Sequence, residues 1–81
     1  MEMGENMKNR QCDRLLEYMR KRKEMGITQK EAMDFLGIYR LGARIWDLKH
    51  MGYHIKTVMV TVGTREPGVS TKVAKYILLE D

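Results

Sequence analysis

Thr28 to Gly52, TQKEAMDFLGIYRLGARIWDLKHMG, constrains the fold more than any other stretch of this 81-residue chain. It holds two short amphipathic runs on either side of Gly37, and such a pattern folds as two helices joined by a tight turn. Thr28 stands three residues before Glu31, the spacing at which a hydroxyl and a carboxylate reciprocally satisfy the free backbone donors of a helix start. The first of the pair therefore begins at Gln29. Ala32, Phe35 and Leu36 recur at i, i+3 and i+4 and are expected on its buried face, before Gly37 supplies the left-handed backbone of the turn. The second run places Leu41, Ile45 and Leu48 on one stripe. It ends at Gly52, with Lys49 and His50 in the last turn, where cations complement the helix dipole.

Residues 39 to 51 are thus expected to coil into a rod with a buried seam and a free outer side. Projected at about 100° per residue, Tyr39, Ala43, Trp46 and His50 oppose the seam, with Arg40 and Arg44 on one flank and Lys49 on the other. Gly42 and Ala43 are small, so the helix backbone can approach a groove floor while the arginines reach phosphates or pair bidentately with guanine. A plainer reading has Arg40 and Arg44 solvating an outer face, with Asp47 pairing Arg44 at i, i+3. Trp46 lies off the seam. It either packs under a neighbouring element or stands at a partner surface, where aromatic residues dominate.

A chain this short buries only about 60% of its unfolded surface, which leaves room for one small core and no second domain. A single cysteine excludes an intrachain disulfide, and one cysteine with two histidines cannot complete a four-ligand structural zinc site within a monomer. Cys12 shares a helical spacing with Leu15, Leu16 and Met19 and reads as a buried thiol. No apolar run approaches the roughly 18 residues that span a bilayer, and MEMGENMKNR lacks the apolar stretch of a secretory signal, so a cytoplasmic protein with no membrane contact is expected. The net charge of +4 favours polyanions without specifying one.

The first eight residues are polar and Met-rich and read as a flexible tail, with one domain over residues 9–81. From about Asn9 to Lys23 an amphipathic helix is expected, closed by Gly26. Its last turn, Arg20 to Lys23, either grips phosphates or complements the helix dipole. Beyond Gly52 the period changes from 3.6 to 2. Ile55 to Val62 and Lys72 to Leu79 read as two antiparallel strands, and GTREPGVST between them as a long loop. Which face of that hairpin turns inward stays open. Two strands alone are marginal in water, so the hairpin must lie on the helices, with Ile27 contributing a short third strand. The expected class is α+β, three helices followed by an antiparallel β-hairpin.

LGARIWDLKHMGYHI, with ITQKEAM before it and VAKYIL after it, resembles the winged helix-turn-helix domain of short phage and prophage proteins. The resemblance is carried by Ile27, Thr28, Gln29, Glu31 and Ala32, by Arg40, Leu41, Ala43, Arg44, Ile45, Asp47 and Leu48, by Gly52, Tyr53 and Ile55, and by Ala74, Tyr76 and Leu78. It covers most of the chain beyond residue 25. Gly42 departs from it, standing where that family often has alanine or serine. The resemblance implies a hairpin that acts as a wing, a third helix that recognises DNA, and a role in transcription regulation. In that arrangement Arg65 and Lys72 on the wing touch the minor groove or the adjacent backbone, with Glu66 partly offsetting their charge.

No phosphate-binding loop, metal-ligand cluster or nucleophile elbow can be read, and neither an enzymatic activity nor a cofactor is expected. His50 at a helix end suits capping or phosphate contact, and His54 a strand edge, better than acid–base work. Two functions follow. The first is a double-stranded DNA-binding regulator or architectural factor of a phage or mobile element, using Tyr39, Arg40, Ala43, Arg44, Lys49, Arg65 and Lys72. Useful affinity would then call for a homodimer or tandem binding on repeated sites. The second is a protein interaction module that uses the Tyr39 and Trp46 surface to bind a host or defence factor.

Overall fold

The computed structural model describes residues 7–79. Its first helix, α1 (Met7–Arg22), runs into a 3₁₀ turn (Lys23–Met25) and a two-residue strand, β1 (Ile27–Thr28). Helix α2 opens as an α-turn (Gln29–Glu31) and continues as a π-turn (Ala32–Leu36); α3 spans Leu41–His50, and the hairpin strands β2 (His54–Gly63) and β3 (Ser70–Leu79) follow. Most of the proposed tail, residues 1–6, lies outside the described residues. Met7 and Lys8 already belong to α1, so the helix starts earlier than its apolar spacing alone marks.

The apolar stripes of α1 and α3 are buried as their spacing requires. Cys12, Leu15, Leu16 and Met19 from α1 meet Leu41, Ile45 and Leu48 from α3 in one core, joined by Ala32, Leu36, Ile27, Ile55 and Leu78. Thr28 caps α2 as its spacing to Glu31 requires: the Glu31 amide donates to Thr28 Oγ1 at 3.4 Å and the Thr28 amide to Glu31 Oε1 at 3.0 Å. Gly37 takes the left-handed conformation, φ 69°, at which a side chain would crowd the following carbonyl.

Phe35 corrects the expected face of α2. It is 65% exposed and stacks on Tyr18 with ring centroids 6.4 Å apart, while Ile38, from the turn, is fully buried in its stead. The π-turn is the cause. In a widened turn each residue advances through a smaller angle than in an α-helix, so Leu36 still completes the circuit from Ala32 and Phe35 falls short of it. The Ile38 amide donates to the Ala32 carbonyl at 3.0 Å, which closes the wide turn and carries the Ile38 side chain inward.

The sheet order is β1-β3-β2, all antiparallel. Ile27 sits opposite Tyr76, which confirms the short third strand, and β2 pairs with β3 without interruption from His54↔Leu79 to Gly63↔Ser70. Pairing therefore extends further into GTREPGVST than its turn-forming composition indicates. Ile55 and Leu78 point into the core, which settles the inward face: Thr57, Met59, Thr61, Tyr76, Ala74 and Lys72 share their side by alternation. At roughly 3.4 Å per residue each strand outruns the helices beneath it. The long dimension of the molecule is 52 Å, and the distal half of the wing projects free of the core with its side chains largely exposed.

Candidate nucleic-acid interface

Helix α3 is held from below by residues remote in sequence. Arg40 precedes it with φ −122°, ψ 68° and makes no capping bond of its own. Gln29 supplies the cap instead: its Oε1 accepts from the Leu41 amide at 2.9 Å, while its Nε2 donates to the Ile38 carbonyl at 3.0 Å. One side chain thus fixes both the turn and the start of α3, and with them the angle between α2 and α3.

A second clamp lies on the flank facing α1. Asp47 is only 8% exposed, and its Oδ2 lies 3.0 Å from Arg44 Nε, an ionic contact made without good hydrogen-bond alignment. Arg44 Nη1 reaches Gln11 Oε1 on α1 at 3.5 Å. The i, i+3 pairing expected from sequence is therefore present, and it draws Arg44 partly into the protein. Arg22 does comparable work at the other end of α1. Its Nη2 meets Glu31 Oε2 at 2.8 Å, its Nε donates to the Gly26 carbonyl at 3.2 Å, and its guanidinium covers the Tyr18 ring at 5.5 Å. Arg20 covers Tyr53 at 6.0 Å. Of the basic run at the end of α1, Lys21 and Lys23 remain exposed beside these engaged arginines.

The opposite side of α3 is uncovered. Gly42, Trp46, Lys49 and His50 are exposed and Ala43 half-buried, and Tyr39 and Arg40 stand exposed just ahead of the helix rather than within it. Trp46, whose placement the sequence left open, is 58% exposed. It stacks on His50 with centroids 3.6 Å apart, and His50 Nδ1 donates to the Trp46 carbonyl at 2.9 Å. That carbonyl can only accept, so Nδ1 is the donor in this contact. From sequence, Trp46 was open to a partner surface and His50 to capping or phosphate contact without the two being paired, although their i, i+4 spacing was the available signal.

The wing brings in the remaining cations. Lys72 lies on the sheet face that carries Tyr76 and Leu78, the face toward the helices, and Arg65 sits in the exposed loop that Thr64 closes by donating through its amide and hydroxyl to the Val69 carbonyl at 3.1 and 2.9 Å. Tyr76 stands between wing and helix, its hydroxyl 3.9 Å from where a Cβ on Gly42 would sit. Ala43 and Lys49 thus lie on α3 away from its seam, Tyr39 and Arg40 stand exposed just before the helix, Arg65 and Lys72 lie out along the hairpin, and Arg44 is set apart on the clamped flank. Among the described residues no cluster of histidine, cysteine or carboxylate side chains could hold a metal, and no helix is long and apolar enough to cross a membrane.

No curated protein and no solved structure matches the chain. The profile of one family, described as the winged helix-turn-helix domain, matches residues 10–81, from the first helix through the wing. That family is typically a non-catalytic module and points to DNA binding in general. With its three helices, β-hairpin wing and three-stranded antiparallel sheet, the chain belongs to the winged helix-turn-helix domain family.

Proposed function

We propose that the protein binds double-stranded DNA by laying α3 in the major groove with the wing along the adjacent backbone, as a regulator or architectural factor of a phage or mobile element. The observation that carries this reading is the asymmetry of α3, capped at its start by Gln29, clamped on one flank by Arg44–Asp47 and uncovered on the other. Arg40 reads a base edge or a phosphate beside Tyr39 and Ala43, and Lys49, Arg65 and Lys72 neutralise phosphates. Arg44 acts as a positioning residue that sets the roll of α3 through Asp47 and Gln11, with what remains exposed of its guanidinium turned to the backbone. Two copies on neighbouring half-sites would supply the affinity that one small module lacks.

The test is selection of bound duplexes from a random pool, followed by a salt titration on the selected site. An enriched motif is expected, with affinity falling steeply as salt rises. Arg40→Ala should cost about 1–3 kcal/mol on the selected site and relax the preference at one position, whereas Lys49→Ala should weaken all duplexes alike and reduce the salt slope by about 1. Affinity unchanged by either substitution removes that residue from the interface.

Gly42 offers a sharper separation of folding from binding. A Cβ there meets only the Tyr76 hydroxyl, at ordinary contact distance, so Gly42→Ala should stabilise the protein by about 0.5–1 kcal/mol. If the backbone of α3 approaches a groove floor at this point, the same variant binds DNA more weakly. Higher stability with unaltered DNA affinity would show that the groove does not come this close.

One observation favours a second reading. Tyr39 is 73% exposed, and with Trp46 it gives the open side an aromatic character suited to a protein partner such as a host or defence factor. Binding centred on these rings would be far less sensitive to salt than phosphate contact. Failure to enrich any DNA motif would favour this partner class.

A further inference from the structure

Strand β2 is an edge with nothing on its outer side among the described residues, since the sheet order is β1-β3-β2. Protein edges of this length are ordinarily blunted by charge, proline or a bulge. This one carries a single lysine, Lys56, and neither proline nor a break in register over its ten residues. Its hydrogen-bonding phase follows from the hairpin. The Thr64 amide donates to the Val69 carbonyl at 3.1 Å, and that pair continues the register of β2 with β3. Hydrogen-bonded pairs recur at every second residue of an antiparallel ladder. Val62, Val60, Val58 and Lys56 therefore turn their backbone groups toward β3, and Gly63, Thr61, Met59, Thr57 and Ile55 turn theirs outward.

We propose that this edge pairs with the same edge of a second copy, antiparallel and centred on Met59, to give a continuous six-stranded sheet. The register follows from self-complementarity. Centred on Met59, Thr57 faces Thr61 of the second copy and Ile55 faces its Gly63, so each of the five outward residues finds a hydrogen-bonded partner. A centre at Val58 or Val60 leaves one of them unpaired. In the same register Val58 faces Val60 of the second copy and Lys56 faces its Val62, so no two like charges oppose each other. Met59, 58% exposed in the single chain, packs on its own symmetry mate. The outer face becomes a stripe of valines that crosses the dyad, flanked by Val73 on β3.

The dyad of such a pair runs perpendicular to the sheet. Both helix-bearing faces then lie on one side of the joined sheet, and the dyad relates the two copies of α3 as two half-sites of one duplex would require. This last consequence rests on the DNA reading above, whereas the pairing itself does not. An edge ladder of this size falls below the roughly 1,200 Å² of standard specific interfaces, so a dissociation constant in the micromolar range or weaker is expected in the absence of DNA.

The experiment is a measurement of solution mass without DNA, by light scattering or sedimentation, from low micromolar up to about 1 mM protein, with two variants. Thr61→Pro deletes an outward amide and leaves the ladder with β3 intact, because Thr61 turns its amide away from β3. It should stay monomeric throughout with a melting temperature close to that of the parent, whereas the parent approaches twice the monomer mass. Met59→Cys places two thiols across the dyad on Cα atoms about 5.5 Å apart, within disulfide reach. It should oxidise to a covalent dimer at least tenfold faster than Arg65→Cys in the hairpin loop, with Cys12 buried and out of competition. A parent that remains monomeric at the highest concentration, a Thr61→Pro variant that dimerises like the parent, or equal oxidation rates for the two cysteine variants would overturn the pairing. Because DNA is absent from every arm, such a failure leaves the DNA reading standing.

Discussion

Gly26→Ala is expected to remove about half of the domain's folding stability. Gly26 joins the end of α1 to β1 at φ 61°, ψ −160°, a combination essentially reserved for glycine that costs other residues about 1–3 kcal/mol. Space is equally short. A Cβ would lie 2.5 Å from the Tyr76 carbonyl oxygen and 2.9 Å from Ile77 Cγ1, and the first of these is backbone of the central strand, which cannot swing aside. Adding an overpacking cost of about 1–3 kcal/mol gives roughly 2–6 kcal/mol, against a total that for a domain of this size is about 4–12 kcal/mol. The melting temperature should drop by more than about 8 °C. A drop of under about 5 °C would mean that β3 recedes from the turn more easily than its place between β1 and β2 suggests.

Gln29→Ala is the second large effect, and it reaches both stability and binding. Its loss strands the Leu41 amide and the Ile38 carbonyl, two backbone groups beside a core formed by those residues' own buried side chains. At about 1–3 kcal/mol for each unsatisfied group, tempered by partial access to water, the expected cost is about 2–4 kcal/mol. Gln29→Glu separates the two bonds, because a carboxylate still accepts from Leu41 and no longer donates to Ile38. It should lose about half as much. Chemical denaturation measures the stabilities, and the folded fraction of Gln29→Ala should bind DNA more weakly because the start of α3 is no longer fixed. Equal stability for the alanine variant and the parent would assign the capping of α3 to water.

What the sequence made legible was local. The capping box of Thr28 and Glu31, the left-handed Gly37 and the Leu41–Ile45–Leu48 seam each involve residues within a turn or two of one another, and each is present as read. Ile38 fills the buried place expected of Phe35 because the apolar pattern assumes an α-helical pitch, and the π-turn over Ala32–Leu36 departs from it. The double role of Gln29 was hidden for a different reason. Its partners lie 9 and 12 residues away, and no local spacing announces a cap supplied by another helix. For the candidate interface, spacing placed Arg44 near Asp47 and showed that the two could pair; that Asp47 is buried, and draws Arg44 with it, depends on α1 packing alongside. The hairpin faces were undecided because threonines, valines and a methionine alternate without a clear apolar side. Only the first inward pair, Ile55 and Leu78, lies deep enough for burial to decide the matter.

Support for α3 from Gln29 also bears on how such a protein diversifies. The side chains of Tyr39, Arg40 and Ala43 take no part in capping α3 and stand outside the core. Mutation can therefore sample these positions at little risk to folding, while the positions that hold the helix in place stay under separate selection. A lineage carrying this scaffold can drift from one target to another by small steps, without passing through unfolded intermediates.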